Sequence, residues 1–338
     1  MPEEERTACA FPQSYLPPRR YNRGMSLRNH LSRILRSCLP LLALVLAACG
    51  GPGGSSAIHP DKPTEPSYPF AANAITVTGA ENFYGDVLHQ LGGSRLKIYS
   101  FLSDPNADPH EYESNASNAR AVADSRLVIK NGLGYDSFMD KLLKASPRPD
   151  RVVIDVQQLI GARDGVDGHL WYDPSVMPRV AKAAADALGQ LDSANAALYA
   201  ANLATFNASL RLIDDEVASL KQRYSGTPIA FTEPVYAYMA GAIGLVVKSP
   251  PEFMKAIEEG NDPPSSAVAA EQDLITKHQV RALLYNSQTV TKVTSNIKDL
   301  AVRNGVPVVG VSETEPPGKT FQDWQLSTLK ELANALGL

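Results

Sequence analysis

Residues 193–224 carry an unbroken apolar stripe. Leu203, Phe206, Leu210, Ile213, Val217, Leu220 and Tyr224 recur at alternating spacings of three and four, the repeat of a single helix face. No glycine or proline interrupts the stripe before Gly226 and Pro228, and Asp192 or Ser193 offers an N-cap. At ~1.5 Å per residue such a helix is roughly 45–50 Å long. A helix of that length can run along two lobes and join them through one connection. An ordinary long core helix would carry the same stripe; its position between two similar halves favours the connector.

The halves on either side repeat one pattern. Before the long helix, β-rich runs occur at 74–80, 96–102, 126–131 and 151–156, with helical patterns at 81–91 and 136–145 between them. After it, strand candidates lie at 228–232, 245–248, 280–285 and 307–311, and helical ones at 235–242, 265–277, 295–304 and 320–336. Strands alternating with helices predict βαβ units and parallel sheets. The expected fold is therefore α/β: two βα lobes with parallel-type sheets, at 73–191 and 227–338, joined by a rigid helix over 192–226. The total of 338 residues suits about two domains of roughly 150 residues.

The N-terminus reads as a targeting segment. Arg28, Arg33 and Arg36 precede an apolar core, Leu39-Pro40-Leu41-Leu42-Ala43-Leu44-Val45-Leu46-Ala47-Ala48, and then Cys49. A basic stretch, a short apolar run and small residues before a cleavage point mark a secretory signal. Its end resembles a bacterial lipobox, in which the cysteine is lipidated and becomes the first mature residue. Residues 1–48 are thus expected to be removed, and Met25 is an alternative start that would leave 1–24 untranslated. Residues 49–72, rich in Gly and Pro, read as a lipidated cysteine and a tether, and His59 within them as a solvated bystander. Cys9 and Cys38 fall in the discarded segment, so the mature body is expected to hold no disulfide. Removing residues 1–48 leaves 25 basic against 33 acidic residues, a net charge of −8. An acidic body without a basic run is a poor nucleic-acid binder. No apolar run approaches the ~18–20 residues that span a bilayer.

Loops at the carboxyl ends of parallel strands are where α/β sheets bind ligands. His110 lies after the second strand candidate, in Asp108-Pro109-His110-Glu111-Tyr112-Glu113. His169 lies in Asp167-Gly168-His169-Leu170-Trp171-Tyr172-Asp173-Pro174. Glu233 ends the 228–232 strand, and Glu313 and Glu315 follow the 307–311 strand. Two neutral nitrogens and two anionic oxygens suit a divalent transition metal; the competing reading makes each a solvated loop residue. His89 and His278 read as surface or helix-end residues.

These motifs resemble those of the substrate-binding proteins of bacterial zinc and manganese ABC importers. The loops around His110 and His169 match that family's first two ligand loops, and Thr232-Glu233-Pro234-Val235-Tyr236-Ala237-Tyr238-Met239 its third, over roughly 74–338. The family usually places an Asp after the last strand; here stand two Glu. Glu313 is preferred because it lies nearer the strand end, with Glu315 the alternative. The resemblance implies a metal site of His110, His169, Glu233 and Glu313 in the cleft between the lobes. It implies a lipid-anchored, extracytoplasmic, monomeric protein that captures Zn2+ or Mn2+ for an ABC permease, with no catalytic cofactor. The stretch 161–168 has no His, unlike the His-rich loop of some zinc-specific members. With a carboxylate as third ligand, this makes manganese a contender, although zinc binds such donors more tightly on intrinsic affinity.

Four protein ligands would leave no open position for an activated water, so catalysis is not expected. The rivals are a haem or iron-chelate binding protein of similar two-lobe plan, a metallohydrolase, and a surface adhesin on the same fold. The chain has neither HExxH nor GxSxG.

Overall fold

The computed structural model describes residues 65–337. The leader, Cys49 and His59 lie outside the described residues.

The first lobe runs β1 (Ile75–Glu81), α1 (Asn82–Gly92), β2 (Leu96–Leu102), α2 (Ala116–Asp124), β3 (Leu127–Lys130), α3 (Ser137–Ala145), β4 (Val152–Asp155), α4 (Val156–Ile160) and α5 (Val176–Leu191). Then comes α6 (Ala196–Tyr224). The second lobe runs β5 (Pro228–Phe231), α7 (Ala237–Ile243), β6 (Val246–Val247), α8 (Pro251–Glu258), α9 (Ser265–Thr276), β7 (Leu283–Asn286), α10 (Lys292–Arg303), β8 (Val308–Val311) and α11 (Phe321–Gly337). Each lobe has one four-stranded parallel sheet, in the orders β2-β1-β3-β4 and β6-β5-β7-β8. The two orders are equivalent. In each, the winding switches sides at the lobe's first strand, the second strand lying on one side and the third on the other, and such switch points leave a crevice at the strands' carboxyl ends.

The long helix is present, two lobes flank it, and the expected α/β architecture holds. The helix starts later than its stripe suggests, because residues 193–195 form a 3₁₀ turn before it. Asp192 does not cap it. Its Oδ2 instead accepts hydrogen bonds from Asn195 Nδ2 (2.7 Å) and Tyr199 Oη (2.8 Å). Its 29 residues span about 43 Å. Tyr199, Phe206, Leu210, Ile213 and Leu220 are buried, while Leu203, Val217 and Tyr224 pack at the edge of the core.

Four helices, α2, α4, α5 and α8, have no counterpart in the expected pattern. The buried face of α5 is largely alanine (Ala181, Ala184, Ala185, Ala187), which gives little apolar contrast to a periodicity search. Pro178 sits in its first turn, where the missing N–H costs nothing. α8 is short and opens on Pro251.

The tether reading also ends too late in the chain. Pro66 bridges Tyr99 on the β2 edge, Ser67 N donates to Ile98 O (2.7 Å), and Tyr68 stacks on His89 with ring centroids 3.8 Å apart. Aromatic and backbone contacts therefore hold residues 66–68 on the first lobe.

One apolar core runs through both lobes. Phe83, Trp171, Tyr172, Tyr236 and Trp324 form a chain of ring contacts across α1, the loop before α5, the start of α7 and α11. A smaller cluster, including Phe253, Ile275, Leu283 and Ile297, packs within the second lobe.

Candidate metal centre

Loops from both lobes bring His110, His169 and Glu313 together. His110 lies in a 3₁₀ turn, Pro109–Glu111, beyond β2; Asp108 Oδ1 accepts from its backbone N (2.9 Å) and fixes the turn. His169 follows α4. Asp167 Oδ1 accepts from its backbone N (2.9 Å) and lies 2.6 Å from ring Nδ1. This contact fixes the ring and turns Nε2 inward. Glu313 lies two residues beyond β8, where Gln288 Oε1 accepts from the backbone N of Glu313 (2.6 Å) and Thr314 (3.1 Å).

Glu313 Oε2 lies 3.3 Å from His110 Nε2 and 3.2 Å from His169 Nε2, and accepts from Tyr135 Oη (3.1 Å). One donor atom of each of these His and Glu residues falls within 4.8 Å of the others. His169 and Glu313 are fully buried, while the His110 side chain keeps 26% of its surface exposed and marks the mouth.

Glu233 follows β5 and is buried, but it lies outside that three-residue group. It joins Glu313 through Asn286, whose Nδ2 donates to Glu233 Oε2 (3.0 Å) and Glu313 Oε1 (2.7 Å). Glu233 Oε1 is buried without a partner. A second group, Asp167, His169 and Glu258, adjoins the same imidazole from the other side.

The charges are coupled. Burial alone would push the Glu313 carboxyl up, but hydrogen bonds from His110 and His169 hold it well below the usual range. Burial opposes charging of both imidazoles; the bond to Glu313 raises His110, and those to Asp167 and Glu313 raise His169 well above its ordinary value. Burial, then the charge of Glu313, pushes Glu233 up to about 7. Imidazoles and carboxylates here therefore compete for protons, and a divalent cation between them would displace those protons.

Glu315 faces elsewhere. Its backbone N and O bond the side-chain amide of Asn82 (2.9 and 2.7 Å). Its carboxyl is pushed up to about 9 by burial, then by Asp86 and Asp323. Glu315, the alternative to Glu313, therefore stands apart from the two histidines. The chain turns after Ser312, whose Oγ donates to Thr314 O (3.0 Å), and does not continue as an extended strand.

Asn286, Tyr135 and Asp167 belong to the site but are absent from the expected ligand set. Asn286 stands one residue past the 280–285 strand candidate, at the same kind of position as Glu233, and that placement could have flagged it.

A model of the family described as ZnuA, zinc-uptake complex component A periplasmic, matches residues 77–335. The manganese-binding lipoprotein MntA of Halalkalibacterium halodurans is 25% identical over 287 residues, which are 82% of this chain and 88% of that one. Among solved structures, the periplasmic zinc binding protein TroA from Treponema pallidum aligns with a TM-score of 0.67 at 18% identity, over 78% of this chain and 99% of that one. A crystal structure of ZnuA aligns with a TM-score of 0.63 at 26% identity, over 77% and 97%. With three quarters of its length matched by the family model, its two-lobed fold shared and a histidine–carboxylate cluster between the lobes, the chain belongs to the family of periplasmic zinc-uptake component A proteins.

Proposed function

We propose that this protein is a lipid-anchored, extracytoplasmic solute-binding protein that captures Zn2+ or Mn2+ between its lobes and hands it to an ABC permease. The family is one of metal-binding solute-binding proteins and not of enzymes. His110, His169, Glu233 and Glu313 would hold the ion, and Cys49 would carry the lipid. The observation that carries the reading is the convergence of His110 Nε2 and His169 Nε2 on one oxygen of buried Glu313. Two imidazoles and carboxylates form a donor set for a divalent transition ion. MntA, the manganese-binding relative, is itself a lipoprotein, which supports the anchor.

The test is calorimetric titration of chelator-treated protein with zinc and with manganese. Wild type should bind one ion, and His110→Ala and His169→Ala should each weaken binding by more than about 100-fold, beyond the ~10–100-fold typical of supporting residues. Affinity should fall as pH drops through about 7, where Glu233 takes up a proton. Wild-type affinity in both histidine variants would defeat the proposed ligand set. In cells, Cys49→Ala should move the protein from the membrane to the soluble fraction.

A further inference from the structure

The amide of Asn286 stands between the two carboxylates with its orientation set on every side. Its Oδ1 accepts from Gln288 N (3.0 Å) and its backbone N donates to Thr232 Oγ1 (3.0 Å). The Nδ2 end therefore faces the site, and the residue is fully buried. Nδ2 carries two hydrogens and has three acceptors in reach: Glu313 Oε1 (2.7 Å), Glu233 Oε2 (3.0 Å) and Thr289 Oγ1 (3.0 Å). Carboxylate oxygens are the stronger acceptors, which favours the glutamates over the Thr289 hydroxyl.

Asn286 thus engages one oxygen of each glutamate. For Glu313 the other oxygen is Oε2, which faces His110 and His169 and accepts from Tyr135 Oη. For Glu233 it is Oε1, buried and without a partner. A hydrogen bond on one oxygen disfavours coordination of a cation through both.

We propose that Asn286 is a specificity-determining residue that holds Glu233 and Glu313 to one oxygen each, so that the site offers four donors and favours zinc over manganese. The inference rests on the four-residue site proposed above. Zinc is satisfied by four donors in a tetrahedron, whereas manganese seeks six, mostly oxygen. His169, Glu233 and Glu313 are buried, so protein groups make up most of the ion's surroundings. Asn286 acts by positioning and need not touch the ion.

The experiment measures zinc and manganese affinities of wild type, Asn286→Ala and Asn286→Ser by competition titration. X-ray absorption spectroscopy on the zinc- and manganese-loaded proteins accompanies it. Wild-type zinc should show four nitrogen or oxygen neighbours. Asn286→Ala frees both carboxylates, and its preference for zinc over manganese should shrink by about tenfold or more, the usual reach of a residue supporting a metal ligand. Its bound manganese should gain neighbours. Asn286→Ser, with one hydroxyl hydrogen, should fall between. A purely structural role would weaken both metals equally and leave the ratio unchanged, and that result overturns the inference. If the variants do not fold, the wild-type spectrum still decides: zinc with five or six neighbours, or a two-oxygen carboxylate, overturns it. A wild type that binds neither ion, or binds regardless of His110 and His169, defeats the proposed site itself and Asn286's role with it.

Discussion

Glu313 and Glu315 are two residues apart and have opposite surroundings. Glu313 is surrounded by donors, and its charge is stabilised. Glu315 is enclosed beside Asp86, and Oε2 has no partner, so it is neutral at pH 7. Glu313→Gln should weaken metal affinity by more than about 100-fold, and Glu315→Gln by less than about tenfold, the lower bound for a supporting residue. The Glu315 carboxyl, at about 9 in the fold against an ordinary 4.5, keeps a proton that the unfolded chain loses between those values. Stability contributed by the protonated group is thus present at low pH and is lost as pH rises from about 4.5 towards 9. Glutamine mimics the neutral acid and has nothing to titrate. Urea unfolding at pH 5 and pH 8 should show wild type losing more stability than Glu315→Gln. Equal losses would remove Glu315 from the account.

At the scale of elements, α6 is a two-sided beam. Ile213 is 4% exposed and packs in the shared core, while its neighbour Leu212 is 59% exposed. Ile213→Ala should cost about 2–5 kcal/mol, from lost transfer energy plus the cavity. Leu212→Ala should change stability by less than about 0.5 kcal/mol. Chemical unfolding midpoints of both variants check the difference, and similar values would mean that α6 is not seated as described. α11 braces the beam by packing on α6 and α1. Trp324, fully buried, meets Phe83 of α1 and Tyr172 from the loop before α5.

At the scale of the molecule, the lobes are already tied together. Asn82 bonds the backbone of Glu315, Asp86 Oδ2 accepts from Phe321 N (2.9 Å), and Gln288 Nε2 donates to Asp104 O and Ala107 O. Tyr238 Oη donates to Asp167 O, and Tyr172 Oη to Ser312 O. With one stiff helix connecting the lobes and these bonds spanning them, metal binding should move them little. Radii of gyration from small-angle scattering should be nearly equal with zinc and with chelator; a large compaction would defeat the rigid connector. An ion that binds only the folded state stabilises it by about 4 kcal/mol at a thousandfold excess over Kd. The melting temperature should therefore rise on metal addition and fall back with chelator.

The sequence by itself determined the alternation of strands and helices in two halves, the long stripe between them, and the strand ends where ligand loops emerge. These follow from local periodicity and from proline and glycine, which act over a few residues. The alanine-faced α5 left too little contrast to be read in that way. Only the tertiary structure decided the rest. Glu313 and not Glu315 faces the histidines, because the turn after β8 separates two side chains that an extended segment would have aligned. Asn286 came into the site because β7 lies between β5 and β8 in the sheet, a neighbourhood set by strand order and invisible in chain distance. Residues 66–68 left the tether because Tyr68 found His89, a contact made across the fold. Side-chain partnerships of this kind depend on which strands lie side by side, and that is settled only when the whole core packs.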